Sequence, residues 1–152
     1  MISRLILFLA LNFTALGIGG IFSGKGVPSD WYSNLNKAPW TPPGWTFGLA
    51  WTAIMICFAI YMAYLWPAIQ NKKLLVGLFA IQWLLNTMWN PVFFHFHNTL
   101  LGLVIITGLT LLIGYFLLYY YPVLKIKSAL ILPYFLWLLV ASSLNAYILI
   151  QN

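Results

Sequence analysis

The sequence has a single acidic side chain, Asp30, no glutamate, and one cysteine, Cys57. These absences exclude much enzyme chemistry: there is no carboxylate pair for acid–base work, no Cys/His nucleophile pairing and no carboxylate metal cage. Acids that could relay protons inside apolar segments are missing too, which argues against an ion-coupled pump. One cysteine allows no intramolecular disulfide. His95 and His97 are two apart, diverge on a helix and have no third ligand in sight, so they read as interfacial residues and no metal site is expected. Charged residues make up 5% of the chain against 63% hydrophobic. That leaves too little polar surface to solvate a globule, and the chain reads as an integral protein of the lipid bilayer. A net charge of +6 on a soluble protein would suggest nucleic acid. Here the basic residues sit in the gaps between apolar runs, where they act as orientation signals, and no nucleic-acid partner is expected.

What is present is a series of apolar runs, each near the ~20 residues needed to cross a bilayer. They cover Ile2–Phe22, Phe47–Trp66, Leu74–Phe94, Leu100–Tyr120 and Ser128–Ile150. The first ends in small residues after Arg4, like a signal peptide, but is longer than the usual apolar core of one and is kept as a span. Strand-type alternation is absent, and backbone groups in lipid must be bonded internally, so the expectation is an all-α bundle of five transmembrane helices in a single domain, 1–152. Three connections are short and make neighbours antiparallel; Ser23–Thr46 is long enough to fold over one mouth of the bundle as a lid. Arg4, Lys72, Lys73, Lys125 and Lys127 fall on one side, which predicts a multi-pass plasma-membrane protein with a cytoplasmic N-terminus and the long loop and C-terminus outside.

The stretch Asp30–Trp51 packs four tryptophans and three prolines into 22 residues. Pro42 and Pro43 suit the first turn of a helix, with Thr41 a candidate N-cap. Ser29 or Asp30 can cap a short turn on which Trp31 and Leu35 share a face until Ala38-Pro39 ends it. Gly20 and Gly24 have the spacing of small residues that let helices approach closely. Pro91 should bend or break the third span near its end.

Polar residues inside the spans are the most informative, because each needs a partner or a cavity. Gln82, Asn86, Trp89, Asn90 and Phe93 fall at helical steps on one face. Trp51, Met55, Phe58 and Met62 do so on the second span, Tyr134, Trp137, Ala141 and Asn145 on the fifth, and Asn12, Ala15 and Gly19 on the first. Of the eight tryptophans, Trp31, Trp40, Trp45 and Trp66 suit an interfacial belt, whereas Trp51, Trp83, Trp89 and Trp137 lie deeper. For any one residue, plain helix packing explains such a face; together they describe a pocket of indole rings with a few amides and no intramembrane charge. That pocket suits a large, flat, apolar ligand such as a tetrapyrrole or a sterol. Only Cys57 lies mid-span as an evident axial iron ligand, which favours a metal-free porphyrin over haem. Its propionates would reach Lys37 or Lys25 at the mouth.

Three segments, WYSNLNKAPWTPPGWTFGLAW (31–51), QWLLNTMWNPVFF (82–94) and LPYFLWLLVASSLN (132–145), resemble those of the TspO/MBR family, the tryptophan-rich sensory or translocator proteins. The resemblance implies a five-helix bundle, often a homodimer, with a cavity closed by the first loop that binds porphyrins and benzodiazepine-type ligands, as a receptor or in transport, with no required cofactor. It implies that Trp51 and Trp137 are cavity tryptophans, linked in some bacterial members to light- and oxygen-dependent breakdown of protoporphyrin, the enzyme alternative. Trp31, Trp40, Asn86, Trp89 and Ala141 resemble ligand-cavity or loop positions. The family commonly has Ser after the third-span tryptophan; this chain has Asn90-Pro91, so that helix end should differ. The sterol-recognition pattern of animal members needs a basic residue after Tyr147, which is followed here by ILIQN.

Overall fold

The computed structural model describes every residue, Met1–Asn152, and is helical outside its connections, without strands. The long helices are α1 (Ile2–Gly26), α3 (Gly44–Ala68), α4 (Lys72–Asn90), α5 (Thr99–Tyr119) and α7 (Leu132–Gln151). Two single-turn helices, α2 (Asp30–Ser33) and α6 (Tyr121–Leu124), lie in the connections. Four stretches are long and apolar enough to cross a membrane: Ile2–Gly26, Gly44–Ala68, Thr99–Tyr119 and Tyr121–Gln151. The expected count of five is therefore met by four on these grounds. The exception is α4, which spans 19 residues, opens on Lys72-Lys73 and carries Gln82, Asn86 and Asn90.

Several boundaries differ from the sequence reading for local reasons. Helix α1 runs four residues beyond Phe22, to Gly26. Thr41 is not the cap of α3: Pro43 holds that position without a side-chain bond, and the Thr41 hydroxyl donates back to the Ala38 carbonyl at 2.7 Å. Ser29 does cap α2, its Oγ accepting from the Tyr32 amide at 3.2 Å, but the turn ends at Ser33, well before Ala38-Pro39. Pro91 breaks α4 as expected. It has no amide hydrogen to give the Thr87 carbonyl four residues back, and the chain widens into a π turn over Pro91–His95, where the Pro91 and Val92 carbonyls accept from the Phe96 and Asn98 amides. The final helix starts at Leu132, because 125–131 winds as a 3-10 segment.

Helix α1 packs on α3 and α4, α5 lies between α4 and α7, and α7 meets α3, closing a circuit. Phe58 sits at its centre, fully buried, stacked on Phe79 at 6.0 Å and edge-on to Tyr134 at 5.4 Å and Phe116 at 6.0 Å. Three buried polar side chains bond across helices: Asn12 Nδ2 donates to the Met55 carbonyl at 3.0 Å, Gln82 Nε2 to the Tyr134 hydroxyl at 2.8 Å, and Tyr61 Oη to the Phe116 carbonyl at 2.9 Å. With hydrocarbon on the outside, an unmade bond at any of these would find no water to replace it. One end of the circuit carries Arg4, Lys72, Lys73, Lys125 and Lys127, five of the seven basic residues. There Lys127 lies 4.2 Å from the centre of the Tyr64 ring, and Lys72 sits over Trp66 and caps the end of α3 through the Trp66 and Ile69 carbonyls. The other end is hollow.

Candidate functional site

The hollow end encloses a cavity of about 800 Å3, within the ~300–1,000 Å3 range of ordinary small-molecule sites. Its wall from α1 is made mostly of small residues, Ala15, Gly19, Gly20, Ser23 and Gly24, with Leu16 among them. The sequence reading took Gly20 and Gly24 as helix-packing positions. Within the chain they pack on no helix: a Cβ at either would touch nothing within 4 Å, so the missing side chains leave volume to the cavity. Close approach occurs instead at Gly19, where a Cβ would lie 2.5 Å from Asn90 Nδ2, and at Gly26, which is packed on the Phe94 ring.

The opposite walls are aromatic. Helix α3 supplies Phe47 and Trp51, one turn apart on the same face. Trp51 also packs edge-on against Tyr134 at 5.9 Å. Helix α4 and the π turn supply Asn86, Trp89, Asn90, Phe93 and Phe94; α7 supplies Ala141, Leu144, Asn145 and Ile148. Trp89 and Phe93, four apart on one face where α4 runs into the π turn, are stacked at 4.9 Å and 16°. Trp89 Nε1 donates to Asn145 Oδ1 at 3.1 Å, and Asn145 Nδ2 to the Thr99 carbonyl at 2.8 Å. The Asn86 amide has no partner within the chain and opens onto the cavity, so it is available to a ligand.

The connection Val27–Pro43 forms the roof through Val27, Pro28, Tyr32, Lys37, Thr41 and Pro42. Lys37 Nζ lies 4.7 Å from the centre of the Tyr32 ring and donates to the Ser33 and Leu35 carbonyls at 3.3 and 3.4 Å, which holds one ammonium at the mouth. Burial pushes the Tyr32 phenol above its ordinary pKa, so its hydroxyl stays neutral. The roof is fastened to α7. The Asn36 amide donates to Asn152 Oδ1 at 2.8 Å, Asn36 Nδ2 to the Gln151 carbonyl at 3.2 Å, and Asn152 Nδ2 to the Asn36 carbonyl at 3.2 Å. Trp40 Nε1 adds a bond to Ser143 Oγ at 3.1 Å, with its ring edge-on to Tyr147 at 5.4 Å.

Of the residues singled out from the sequence, Trp51, Asn86, Trp89 and Ala141 line the cavity. Trp31, Trp40 and Trp137 do not. Trp31 props the roof from outside, stacked on His97 at 4.1 Å and edge-on to Phe93 at 5.6 Å. Trp40 is a roof fastening. Trp137 stands one layer back, edge-on to Phe47 at 5.4 Å, with its buried Nε1 unpartnered. Lys25 lies outside the cavity in a separate surface groove. Phe47 was missed, although its spacing of four from Trp51 placed it on the same face.

The family model described as the TspO/MBR family matches residues 7–151. The chain is 37% identical over 150 residues to Tryptophan-rich protein TspO of Chlorobaculum tepidum, covering 96% of this chain and 91% of that protein. It is 33% identical over 153 residues to Tryptophan-rich protein TspO of Archaeoglobus fulgidus, covering 100% and 96%. Against the Translocator protein of Sus scrofa it is 29% identical over 147 residues, covering 90% and 85%. A multi-pass helical membrane protein whose family match runs through every long helix and the roof of its cavity, this chain belongs to the TspO/MBR family.

Proposed function

We propose that the protein is a membrane receptor or sensor that binds a porphyrin-type tetrapyrrole, or a similarly flat apolar molecule, in the cavity beneath the 27–43 connection, with ligand transport as an accompanying role. The observation that carries this reading is the cavity's composition. Its rings, Phe47, Trp51, Trp89 and Phe93, offer flat apolar area; the Asn86 amide offers a hydrogen bond; and Lys37 puts a single positive charge at the mouth. Such a site takes a ligand with an aromatic body and an anionic edge. Lys37, and not Lys25, is the partner for a propionate.

In this reading α4 is the fifth span. Its low average hydropathy comes from an inward polar face, whereas Leu74, Val76, Ile81, Leu84 and Met88 are exposed and meet lipid. Gathering of Arg4, Lys72, Lys73, Lys125 and Lys127 at the end away from the cavity supports an orientation with that end in the cytoplasm and the roof outside. A homodimer is expected from the family likeness. The alternative, light- and oxygen-dependent porphyrin breakdown by Trp51 and Trp137, draws support from Trp51 alone, since Trp137 is screened by Phe47.

Intrinsic tryptophan quenching by protoporphyrin, titrated in the dark and then followed spectrally under light, tests the proposal. Saturable quenching without a new absorbing product supports the receptor. A product that needs light and oxygen supports the enzyme, and absence of saturable quenching overturns the porphyrin reading.

A further inference from the structure

A second, smaller hollow of about 220 Å3 lies outside the bundle where the end of α1 meets the π turn. Its polar side is built by Lys25 and His95, with Ser29 beside them, and its apolar side by Ile21, Phe22 and Phe94. The Ser29 hydroxyl is already used, donating to the Gly26 carbonyl at 2.5 Å and accepting from the Tyr32 amide. Lys25 and His95 are not: both are exposed, and neither side chain makes a hydrogen bond within the chain. The imidazole is held edge-on to Phe22 at 6.2 Å, so it faces the same hollow as Lys25 near the end of α1. Two donors with no acceptor of their own, converging over an apolar floor, describe a place for an anionic head on a hydrophobic body.

The surface continues down α1. Ile21 is 60% exposed, and one turn towards the N-terminus Gly17 leaves open space, with nothing within 4 Å of where its Cβ would be. Gly17 and Ile21 are four apart and share a face, so the hollow runs into a shallow apolar track along a membrane-spanning helix. We propose that this hollow is a binding site for an anionic glycerophospholipid, its phosphate held by Lys25 and His95 and one acyl chain lying along Ile21 and Gly17. The site is distinct from the cavity, which Lys25 and His95 do not line. It touches the same roof, because Gly26 and Phe94, which close the hollow, are packed on each other beside Tyr32, whose ring lies edge-on to Phe94 at 5.5 Å. A seated lipid would brace the hinge where α1 turns into the roof.

The test uses the full chain in phosphatidylcholine nanodiscs containing a small fraction of phosphatidylglycerol with a photoreactive acyl chain, and peptide mapping of the cross-links. The expected result is labelling concentrated on 13–22, absent with a phosphatidylcholine analogue carrying the same photoreactive chain. Loss of a basic contact near an anionic lipid should lower it about fivefold in Lys25→Gln, His95→Gln, with recovery in Lys25→Arg, His95→Gln. Lys73→Gln, at the opposite end, should change nothing. Equal labelling by the two lipids, or a loss in Lys73→Gln as large as in the groove variant, overturns the proposal. So does a groove variant that labels normally but loses porphyrin quenching, because Lys25 would then serve the cavity ligand.

Discussion

Trp89 and Asn145 are joined by a 3.1 Å bond from the indole Nε1 to the amide Oδ1, and this bond fixes the plane of the largest ring on the α4 side of the cavity. Asn145 is itself held by its donation to the Thr99 carbonyl, so three helices set one ring. Replacing Asn145 by Leu keeps the volume and removes both bonds. Each interhelical bond in a membrane is worth about 0.6–2 kcal/mol. The expected outcome is a lower unfolding midpoint in detergent and porphyrin affinity down by about fivefold or more, an effect of ~1 kcal/mol. An unchanged quenching curve would show that the Trp89 plane does not matter to the ligand.

A glycine packed behind the cavity wall and glycines lining the cavity should respond in opposite ways. Gly102 faces the Trp89–Asn145 pair, where a Cβ would lie 3.0 Å from Asn145 Oδ1 and 3.3 Å from the Phe93 ring. Gly102→Ala should therefore destabilise the fold by about 1–3 kcal/mol, as overpacking does. Gly20 and Gly24 face open volume, so Gly20→Leu or Gly24→Leu should leave thermal stability within about 0.5–1 kcal/mol while removing ligand binding by occupying the cavity. Parallel melting and quenching titrations separate the two classes.

The roof is latched at one point by three hydrogen bonds between Asn36 and the residues Gln151 and Asn152. These groups are exposed, so each bond contributes only about 0.5–1.5 kcal/mol when formed. Asn152→Ala removes two of the three. We expect little change in melting temperature and a dissociation rate for bound porphyrin raised about five- to tenfold, measured by stopped-flow recovery of tryptophan fluorescence. An unchanged rate would mean that the ligand leaves by a route that does not open the roof.

How much of this was legible in the sequence depends on the scale of the feature. Long apolar runs are written in composition, and α1, α3, α5 and α7 followed from them. The inward faces of α4 and α7 were legible because a polar or aromatic residue every third or fourth position can only mean one face, and Asn86, Trp89, Ala141 and Asn145 all reach the cavity. Depth was not legible: Trp137 shares a helix face with Ala141, but the Phe47 ring from α3 stands in front of it. Nor was the role of the glycines, since Gly19, Gly20 and Gly24 look alike in sequence, and only the position of Asn90 distinguishes a packed glycine from one that leaves space. The Asn36–Asn152 latch joins residues far apart in the chain, which no local pattern encodes.

The two tryptophans tied by resemblance to porphyrin chemistry should separate on mutation. Trp51 lines the cavity, and its replacement by Phe shortens the flat surface offered to a ligand. That variant should lose affinity and also the largest share of the quenching signal. Trp137 does not reach the cavity, and its indole N–H is buried without an acceptor. An unpaired buried donor costs about 1–3 kcal/mol, and Phe at this position removes it while keeping most of the edge contact to Phe47. Trp137→Phe should therefore bind porphyrin as the native chain does, with unchanged or higher melting temperature. If instead Trp137→Phe binds normally and fails only in a light-dependent loss of porphyrin absorbance that the native chain carries out, then Trp137 takes part in that reaction from behind Phe47 and the enzyme reading replaces the receptor.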